Sequence, residues 1–205
     1  MSNRKTDREP SVFVVDDDPA VLKSLVSLIE VVFPRVEAFC SAAEFLEAYQ
    51  DDCPGCIVLD VAMPGMNGLE LQRKLAADKI DLPIVFITGH GNVQMAVGAM
   101  QAGAVNFLEK PCNEQELWDS IRNSFDLDTQ RRRRKTRRRA VEQRMAQLTT
   151  GEREVFDLIV EGKYNKQIAA LLGLSVRTVE DRRSRLIKKM KANSVAELVQ
   201  MALTH

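Results

Sequence analysis

The sequence predicts an α/β domain of five strands alternating with five helices, followed by a smaller domain that is entirely helical. Short apolar runs alternate with helical patterns up to about residue 125, whereas from residue 149 onward the apolar residues recur only at helical spacing. Strands that alternate with helices form parallel sheets through right-handed crossovers. The strands are nearly all apolar, which is typical of a sheet covered by helices on both faces.

Each element of the first domain has a local signal. The predicted strands span residues 12–15, 36–39, 57–59, 84–87 and 105–108. The helices after them are expected to begin at Pro19, at Ala42 behind a Ser41 cap, at Asn67 or Gly68, at Val93 and at Asn113. Proline favours a first helical turn, and Ser41 followed three residues later by Glu44 is typical of a capping box.

The second domain reads as four helices. The first is expected to begin at Thr149 or Thr150 and to end at about Val160, and the others are expected at residues 166–172, 176–191 and 195–203. Asn165, Ser175 and Ser194 are the predicted caps of the last three, and Glu197 completes a second predicted capping box.

Charge divides the chain where the pattern changes. Residues 1–125 carry a net charge of −9 and residues 126–205 a net charge of +9, although the whole chain is neutral. Residues 131–139 read RRRRKTRRR, and like charges four residues apart weaken a helix. We therefore expect a first domain at 1–125, a basic linker of helix or coil at 126–147, and a second domain at 148–205. The linker is either a solvated connector or a non-specific contact for nucleic-acid phosphates.

No apolar run approaches the ~18 residues of a membrane span, and the first ten residues lack the apolar segment of a secretory signal. The sequence thus predicts a cytoplasmic protein with no membrane partner. Cys53-Pro-Gly-Cys56 raises the alternatives of redox or zinc chemistry. Because a strand follows at once and no second ligand pair exists, we interpret the cysteines as incidental thiols in a reducing compartment.

Polar residues follow four of the predicted strands. Asp16-Asp17-Asp18 follows the first strand, Asp60 the third, Thr88 the fourth and Lys110 the fifth. The carboxyl ends of parallel strands meet at one edge of the sheet, so these side chains are expected to lie together. Clustered carboxylates resist ionisation unless a cation is present, and Mg²⁺ (with Mn²⁺ as an alternative) prefers such oxygen ligands. A carboxylate beside a metal, a hydroxyl and a lysine can attack a phosphoryl group.

Four motifs occur in this order along the chain: Asp16-Asp17, Asp60-Val-Ala-Met-Pro-Gly, Thr88-Gly89 and Phe107-Leu-Glu-Lys110-Pro. The ordered set resembles the response-regulator receiver domain, which has a flavodoxin-like (βα)5 fold. The resemblance implies that Asp60 is the phospho-acceptor. It also implies that Asp17, Asp60 and the Ala62 carbonyl ligate Mg²⁺ directly, with Asp16 acting through water. Thr88 and Lys110 would contact the phosphoryl oxygens. Gly89 would leave room beside them, and Phe107 would fill the space vacated when Thr88 moves, although a plain core role for Phe107 is the alternative.

Residues 165–179 have the length and turn of a helix-turn-helix, whose second helix would present cations to DNA. Other small helical domains share that spacing, so a basic interaction domain is the alternative. The candidate DNA contacts are Asn165, Lys166, Arg177, Thr178, Glu180, Asp181, Arg182, Arg183 and Arg185.

The pieces Leu148-Thr-Thr-Gly-Glu152, Asn165-Lys-Gln-Ile-Ala169 and Ser175-x-x-Thr-Val179 resemble the four-helix LuxR-type DNA-binding domain. Together with the receiver, the architecture resembles the FixJ/NarL class of response regulators. Arg182 and Asp181 depart from the residues common in that family, so base preference does not transfer. Asn165, Lys166, Thr178 and Arg182 or Arg183 are expected to contact phosphates. The last helix, with Val195, Leu198, Val199 and Ala202 on one stripe, either dimerises or packs within its own domain.

These expectations combine into one hypothesis. A histidine kinase would phosphorylate Asp60, the receiver would form a homodimer through its fourth helix and fifth strand, and the helical domains would bind two-fold related half-sites on double-stranded DNA. The protein would be no enzyme beyond weak self-phosphorylation and self-dephosphorylation. The rivals are a Mg²⁺-dependent phosphohydrolase, a regulator that ignores phosphorylation, and an RNA-binding output, for which no aromatic stacking platform is present.

Overall fold

A computed structural model describes residues 9–50, 53–89 and 91–203, and the chain divides into two compact units between Arg132 and Arg133. Most of the amino-terminal stretch in which the sequence predicts no signal segment lies outside the described residues. The division falls inside the expected linker at 126–147.

The first unit is built on a parallel sheet of five strands in the order β2-β1-β3-β4-β5. The strands are β1 (Ser11–Val15), β2 (Val36–Phe39), β3 (Gly55–Asp60), β4 (Ile84–Thr88) and β5 (Asn106–Glu109). The α/β fold predicted from the sequence is therefore confirmed, with β3 three residues longer than expected. The first and third strands are neighbours at the centre, so the residues that follow them meet at one edge.

Five helices cover the sheet. They are α1 (Pro19–Glu30), α2 (Ala42–Ala48), α3 (Gly68–Ala77), α4 (Val93–Gln101) and α5 (Glu114–Met145). One face of the sheet buries its side chains against α2, α3 and α4, with Phe45 and Leu71 fully buried. The other face packs against α1 and α5, where Ile29 and Ile121 are fully buried. Burial on both faces explains why the strand sequences are apolar throughout.

Helix α5 runs without interruption through the arginine run. Ion pairs reduce the repulsion expected there, because Arg131 bonds Asp81 at 2.7 Å and Arg138 bonds Glu142 at 2.9 Å. The segment expected as helix or coil is thus helical as far as Met145.

The second unit adds α6 (Thr150–Val160), α7 (Asn165–Leu172), α8 (Val176–Met190) and α9 (Val195–Leu203). Their buried residues form one core, which also takes in Val141 and Met145 from the end of α5. Thr149 caps α6 in a capping box with Glu152, and Ser175 caps α8. The predicted four-helix architecture is confirmed.

Three predicted caps differ in detail. Asn165 is the first residue of α7 and not its cap, since the backbone turns at Tyr164 and the Asn165 amide is engaged elsewhere. Ser41 and Ser194 accept the expected bonds from Glu44 and Glu197. The two glutamates, however, accept from the backbone amides one residue further upstream.

Candidate functional site

A lysine joins two carboxylates where the strands of the first unit end. The Lys110 ammonium lies 2.5 Å from an oxygen of Asp16, which follows β1, and 2.7 Å from Oδ1 of Asp60, the last residue of β3. Both aspartates are almost fully buried. Lys110 precedes a cis peptide to Pro111 just after β5. The structure therefore brings together three of the residues that the sequence assigns to the site.

Asp60 is held on both of its oxygens. Oδ2 accepts a hydrogen bond from the backbone amide of Ala62 at 2.6 Å, while Oδ1 faces Lys110. Helix α3 begins directly behind this residue at Gly68. A Cβ at that position would lie 2.2 Å from the Asp60 carbonyl oxygen, so only glycine allows so close an approach.

The charges of the cluster are unequal. Burial raises the pKa of Asp16, and the bond to Lys110 only partly offsets it. Burial would lower the pKa of Lys110, but its bonds to Asp16 and Asp60 outweigh that effect and raise it. One ammonium thus faces two buried carboxylates, which leaves an excess of negative charge that a further cation would relieve.

Thr88 and Phe107 flank the cluster from the next two strands. Thr88 is fully buried at the end of β4, and Phe107 on β5 is half-buried, with its ring 6.0 Å from that of Phe86. A Cβ at Gly89 would meet no atom within 4 Å. At Gly91 it would lie 2.9 Å from Phe107 and 3.0 Å from the Thr88 methyl group. Gly91, which our sequence analysis missed, is therefore the glycine that leaves room here, and the only signal was its proximity to Thr88.

The donor set suits a hard divalent cation in its chemistry. Asp16 and Asp60 supply carboxylate oxygens, and the exposed Asp17 directly follows Asp16 in the sequence. Asp18 plays another part, since its side chain caps α1 by accepting from the amides of Ala20 and Val21. Within the described residues, no group of three or more His, Cys, Asp or Glu side chains is already gathered as a metal site. Lys110 holds the two buried carboxylates together.

The second unit displays part of the predicted DNA-contacting set on the outer face of α8. Arg177, Glu180, Asp181 and Arg185 are exposed there, and Lys166 is exposed on α7. The Thr178 hydroxyl lies 2.8 Å from that of Ser175. These positions repeat at helical spacing, while Val179, Leu186 and Met190 on the opposite side are buried. The helix has one side in the core and one side that mixes both signs of charge.

Three of the predicted contacts, Asn165, Arg182 and Arg183, are engaged inside the unit. Arg183 donates to the Asn165 side chain at 2.7 Å. Arg182 donates to the carbonyl of Gly151 at 3.4 Å and lies 3.8 Å from Glu154. A Cβ at Gly151 would lie 2.5 Å from the Arg182 guanidinium, so a larger residue there would displace the end of the Arg182 side chain. The sequence assigns Gly151 to the LuxR-type motif but predicts no role for it.

The last helix packs mainly into its own unit. Leu198 is fully buried, and Val195 and Ala202 pack against the same core. Val199 is half-buried, and Leu203 is 80 % exposed. The sequence left two roles open for the apolar stripe of α9, dimerisation or packing within its own domain. Leu198, Val195 and Ala202 pack within the domain.

No disulfide links the four cysteines, all of which lie in the described residues. Cys56 is fully buried in β3, and burial raises the pKa of its thiol. Among the helices of the described residues, none combines the length and the hydrophobicity that a membrane span requires.

Comparison with known proteins agrees with both units. The response regulator receiver domain matches residues 12–122, and the luxR family of bacterial regulatory proteins matches residues 146–202. Nodulation protein W of Bradyrhizobium diazoefficiens is 42% identical over 193 residues, covering 94% of this chain and 85% of that protein. Transcriptional regulatory protein FixJ of Azorhizobium caulinodans is 44% identical over 192 residues, covering 94% of this chain and 91% of its own length.

Solved structures give the same result. The response regulator StyR is 42% identical and superposes with a TM-score of 0.84, covering 97% of this chain and all of that one. Full-length FixJ from B. japonicum is 37% identical with a TM-score of 0.59, covering 96% of this chain and 97% of that one. The chain belongs to the two-component response regulators that join a receiver domain to a LuxR-type DNA-binding domain.

Proposed function

We propose that this response regulator is switched by phosphorylation of Asp60 and then binds DNA as a dimer. The observation that carries the proposal is the shared contact of Lys110 with Asp16 and Asp60. A buried nucleophilic carboxylate beside a fixed cation is the arrangement that phosphoryl transfer to an aspartate needs. The donor would be the phosphohistidine of a histidine kinase, and the protein would work in the cytoplasm.

The reaction at Asp60 is a displacement at phosphorus. A carboxylate oxygen of Asp60 forms the new P–O bond as the P–N bond to the kinase histidine breaks, and the imidazole leaves with the electron pair. Lys110 balances negative charge on the phosphoryl oxygens, and the Thr88 hydroxyl can turn to donate to them. Asp16, Asp17, Asp60 and the Ala62 carbonyl would hold Mg²⁺, with Mn²⁺ as a substitute. The ion supplies further charge neutralisation at the phosphoryl group.

The switch would start from the movement of Thr88. Phosphorylation adds about −1.5 to −2 charges and three acceptor oxygens at Asp60. Thr88 lies against Gly91 and Phe107, so a shift of its side chain alters the space that the Phe107 ring occupies. Phe107 lies on β5, next to the surface formed with α4, so a change there would reach that surface.

The α4 surface is where we place receiver dimerisation. Val93, Val97 and Met100 are exposed along this helix by 79%, 49% and 44%. Apolar side chains exposed together on one helix are typical of a contact surface. Two copies joined there would offer their α8 helices to two-fold related half-sites on DNA.

The exposed face of α8 would recognise the base sequence of the DNA. Arg177 and Arg185 can donate to guanine or to phosphates, whereas Glu180 and Asp181 can accept from cytosine. Arg182 and Arg183 would contribute more to holding α8 in place than to reading bases, because both bond within the unit.

The first test is chemical. Full-length protein incubated with Mg²⁺ and acetyl phosphate should gain the mass of one phosphoryl group, and Asp60→Asn should gain none. Asp126→Asn, a change at an exposed aspartate of α5, is the matched control and should react as the wild type does. Phosphorylation of Asp60→Asn at the wild-type rate would refute the assignment, and rapid repeated turnover of acetyl phosphate would favour a phosphohydrolase.

A further inference from the structure

The arginine run of α5 separates into two parts with different surroundings. Arg131 and Arg132 bond to Asp81 and Asp128 within the first unit. From Arg133 onward the helix belongs to the second unit, and all six cations between residues 133 and 139 are exposed. The first part therefore has a structural role in the first unit, whereas the exposed cations of the second part have no evident structural role.

Several cations of the exposed part form no bond with the described residues of the protein. Arg138 pairs with Glu142, but Arg133, Arg134 and Arg137 bond to no side chain or backbone group within residues 9–50, 53–89 and 91–203. Successive residues of a helix are turned by about 100°, so these cations face several directions at once. Such a segment repels itself and favours any polyanion that lies along it.

The segment is fixed to the DNA-reading helix. Val141 and Met145, one and two turns further along α5, are buried in the core of the second unit. Arg144 donates to the carbonyl of Met190 at the end of α8, at 3.0 Å. Arg137 precedes Arg144 by seven residues, which is about 10 Å along a helix. Arg137 thus lies about one screening length from the contact between α5 and α8, and Arg133 and Arg134 lie about 5–6 Å further along the same helix.

We propose that the exposed cations of α5 from Arg133 to Arg139 bind the phosphate backbone of duplex DNA flanking the site that α8 reads. The proposal rests on the DNA-binding role of the second unit and adds a second, sequence-independent contact to it. An anionic membrane is the poorer partner, because residues 129–139 include no apolar side chain and an interfacial helix needs an apolar face. Release of counterions from the phosphates would drive the contact and make it depend steeply on salt.

The test is the salt dependence of binding by the full-length protein to a fluorescein-labelled duplex of mixed sequence. Each phosphate contact adds about −0.9 to the slope of log K against log[KCl]. The triple variant Arg133→Gln, Arg134→Gln, Arg137→Gln should therefore make the slope shallower by about two to three. It should also weaken binding in low salt at least ~tenfold. The triple change to lysine, which keeps the charge, should retain most of both.

The matched control removes three exposed cations of the receiver, Lys23→Gln, Arg35→Gln and Arg73→Gln, and should leave the slope unchanged. An unchanged slope in the α5 variant, or an equal loss in the control, would overturn the inference. So would a variant that keeps its DNA slope but loses binding to vesicles of phosphatidylcholine and phosphatidylserine, which would point to a membrane. A wild-type protein that binds no duplex at any salt concentration would instead refute the DNA-binding role itself.

Discussion

Two contacts between a lysine and buried carboxylates show that similar side chains can have different roles. In the receiver, the Lys110 ammonium faces two carboxylates, Asp16 and Asp60. In the DNA-binding domain, Lys189 pairs with a single carboxylate of the described residues, that of Glu152, at 2.6 Å. The second pair is balanced and has a structural role, since Lys189 also donates to the Gln147 carbonyl. The first has an unmatched negative charge, and that imbalance suits the cluster to the Mg²⁺ ion of the proposed function.

The balanced pair predicts a dependence of local stability on pH. The bond from Lys189 lowers the pKa of Glu152 in the folded protein. A carboxyl with a lowered pKa adds stability above its unfolded pKa of about 4.3, and this is lost as pH falls through the folded pKa. Glu152→Gln should therefore speed hydrogen exchange of the α6 amides at pH 7, and the difference from wild type should shrink below about pH 4.

Hydrogen exchange followed by mass spectrometry measures this unit within the full chain. Glu154→Gln is the control, because Glu154 lies on the same helix, is half exposed and is 3.8 Å from Arg182. It should change the exchange of α6 much less. Equal protection of wild type and Glu152→Gln at pH 7, or a difference that grows as pH falls, would contradict the assigned role of the pair.

At the scale of the elements, hydrogen bonds near the middle of α5 attach this helix to the sheet. Asp128 is only 3% exposed and accepts from the backbone amide of Gly55 at 3.1 Å and from Arg132 at 2.7 Å. Arg132 in turn donates to the Cys53 carbonyl. These bonds attach α5 to the start of β3, at the opposite end of that strand from Asp60. They fix the helix against the sheet just before it enters the second unit.

Loss of this attachment should destabilise the receiver. Asp128→Ala leaves the Gly55 amide and the Arg132 guanidinium without their acceptor, which costs about 2 kcal/mol. Urea unfolding can be followed by fluorescence, since Trp118 is the single tryptophan and bonds the Leu28 carbonyl from α5. Asp126→Ala on the exposed side of the same turn should leave the midpoint almost unchanged. Equal midpoints for the two variants would show that the buried bonds contribute little.

The elements also show what the sequence could predict. Strand and helix order followed from apolar spacing, and the Asp16, Asp60 and Lys110 cluster followed from what lies at strand ends. The continuity of α5 through the arginine run did not follow from the sequence, because helical spacing does not reveal a partner such as Asp81, which pairs with Arg131 from a distant part of the chain. The inward hydrogen bond from Arg183 to Asn165 could not be predicted either, since helical spacing fixes the side of the helix on which a residue lies and not its side-chain partner.

At the scale of the whole molecule, the two domains have opposite charge and separate partners. The receiver half carries −9 and suits a cation and a kinase, whereas the second half carries +9 and suits DNA. In the proposed function, phosphorylation of the receiver reaches the second domain through dimerisation, which does not require that the two domains contact each other. A second copy would double the DNA contacts, so a modest gain in receiver association would become a large gain in DNA affinity.

Dimerisation is tested by placing a charge on the exposed apolar face of α4. In a two-fold dimer each residue acts twice, so Val93→Glu would lose two buried valines and bring carboxylates into an apolar contact. We expect self-association with Mg²⁺ and beryllofluoride, a phosphoryl mimic, to weaken at least ~tenfold. Light scattering measures the self-association, and phosphorylation from acetyl phosphate should stay normal.

Val31→Glu is the matched control, since Val31 is 73% exposed at the end of α1. Dimers of Val93→Glu as stable as wild type would move the contact elsewhere, whereas loss of dimers in both variants would make it a general effect of charge.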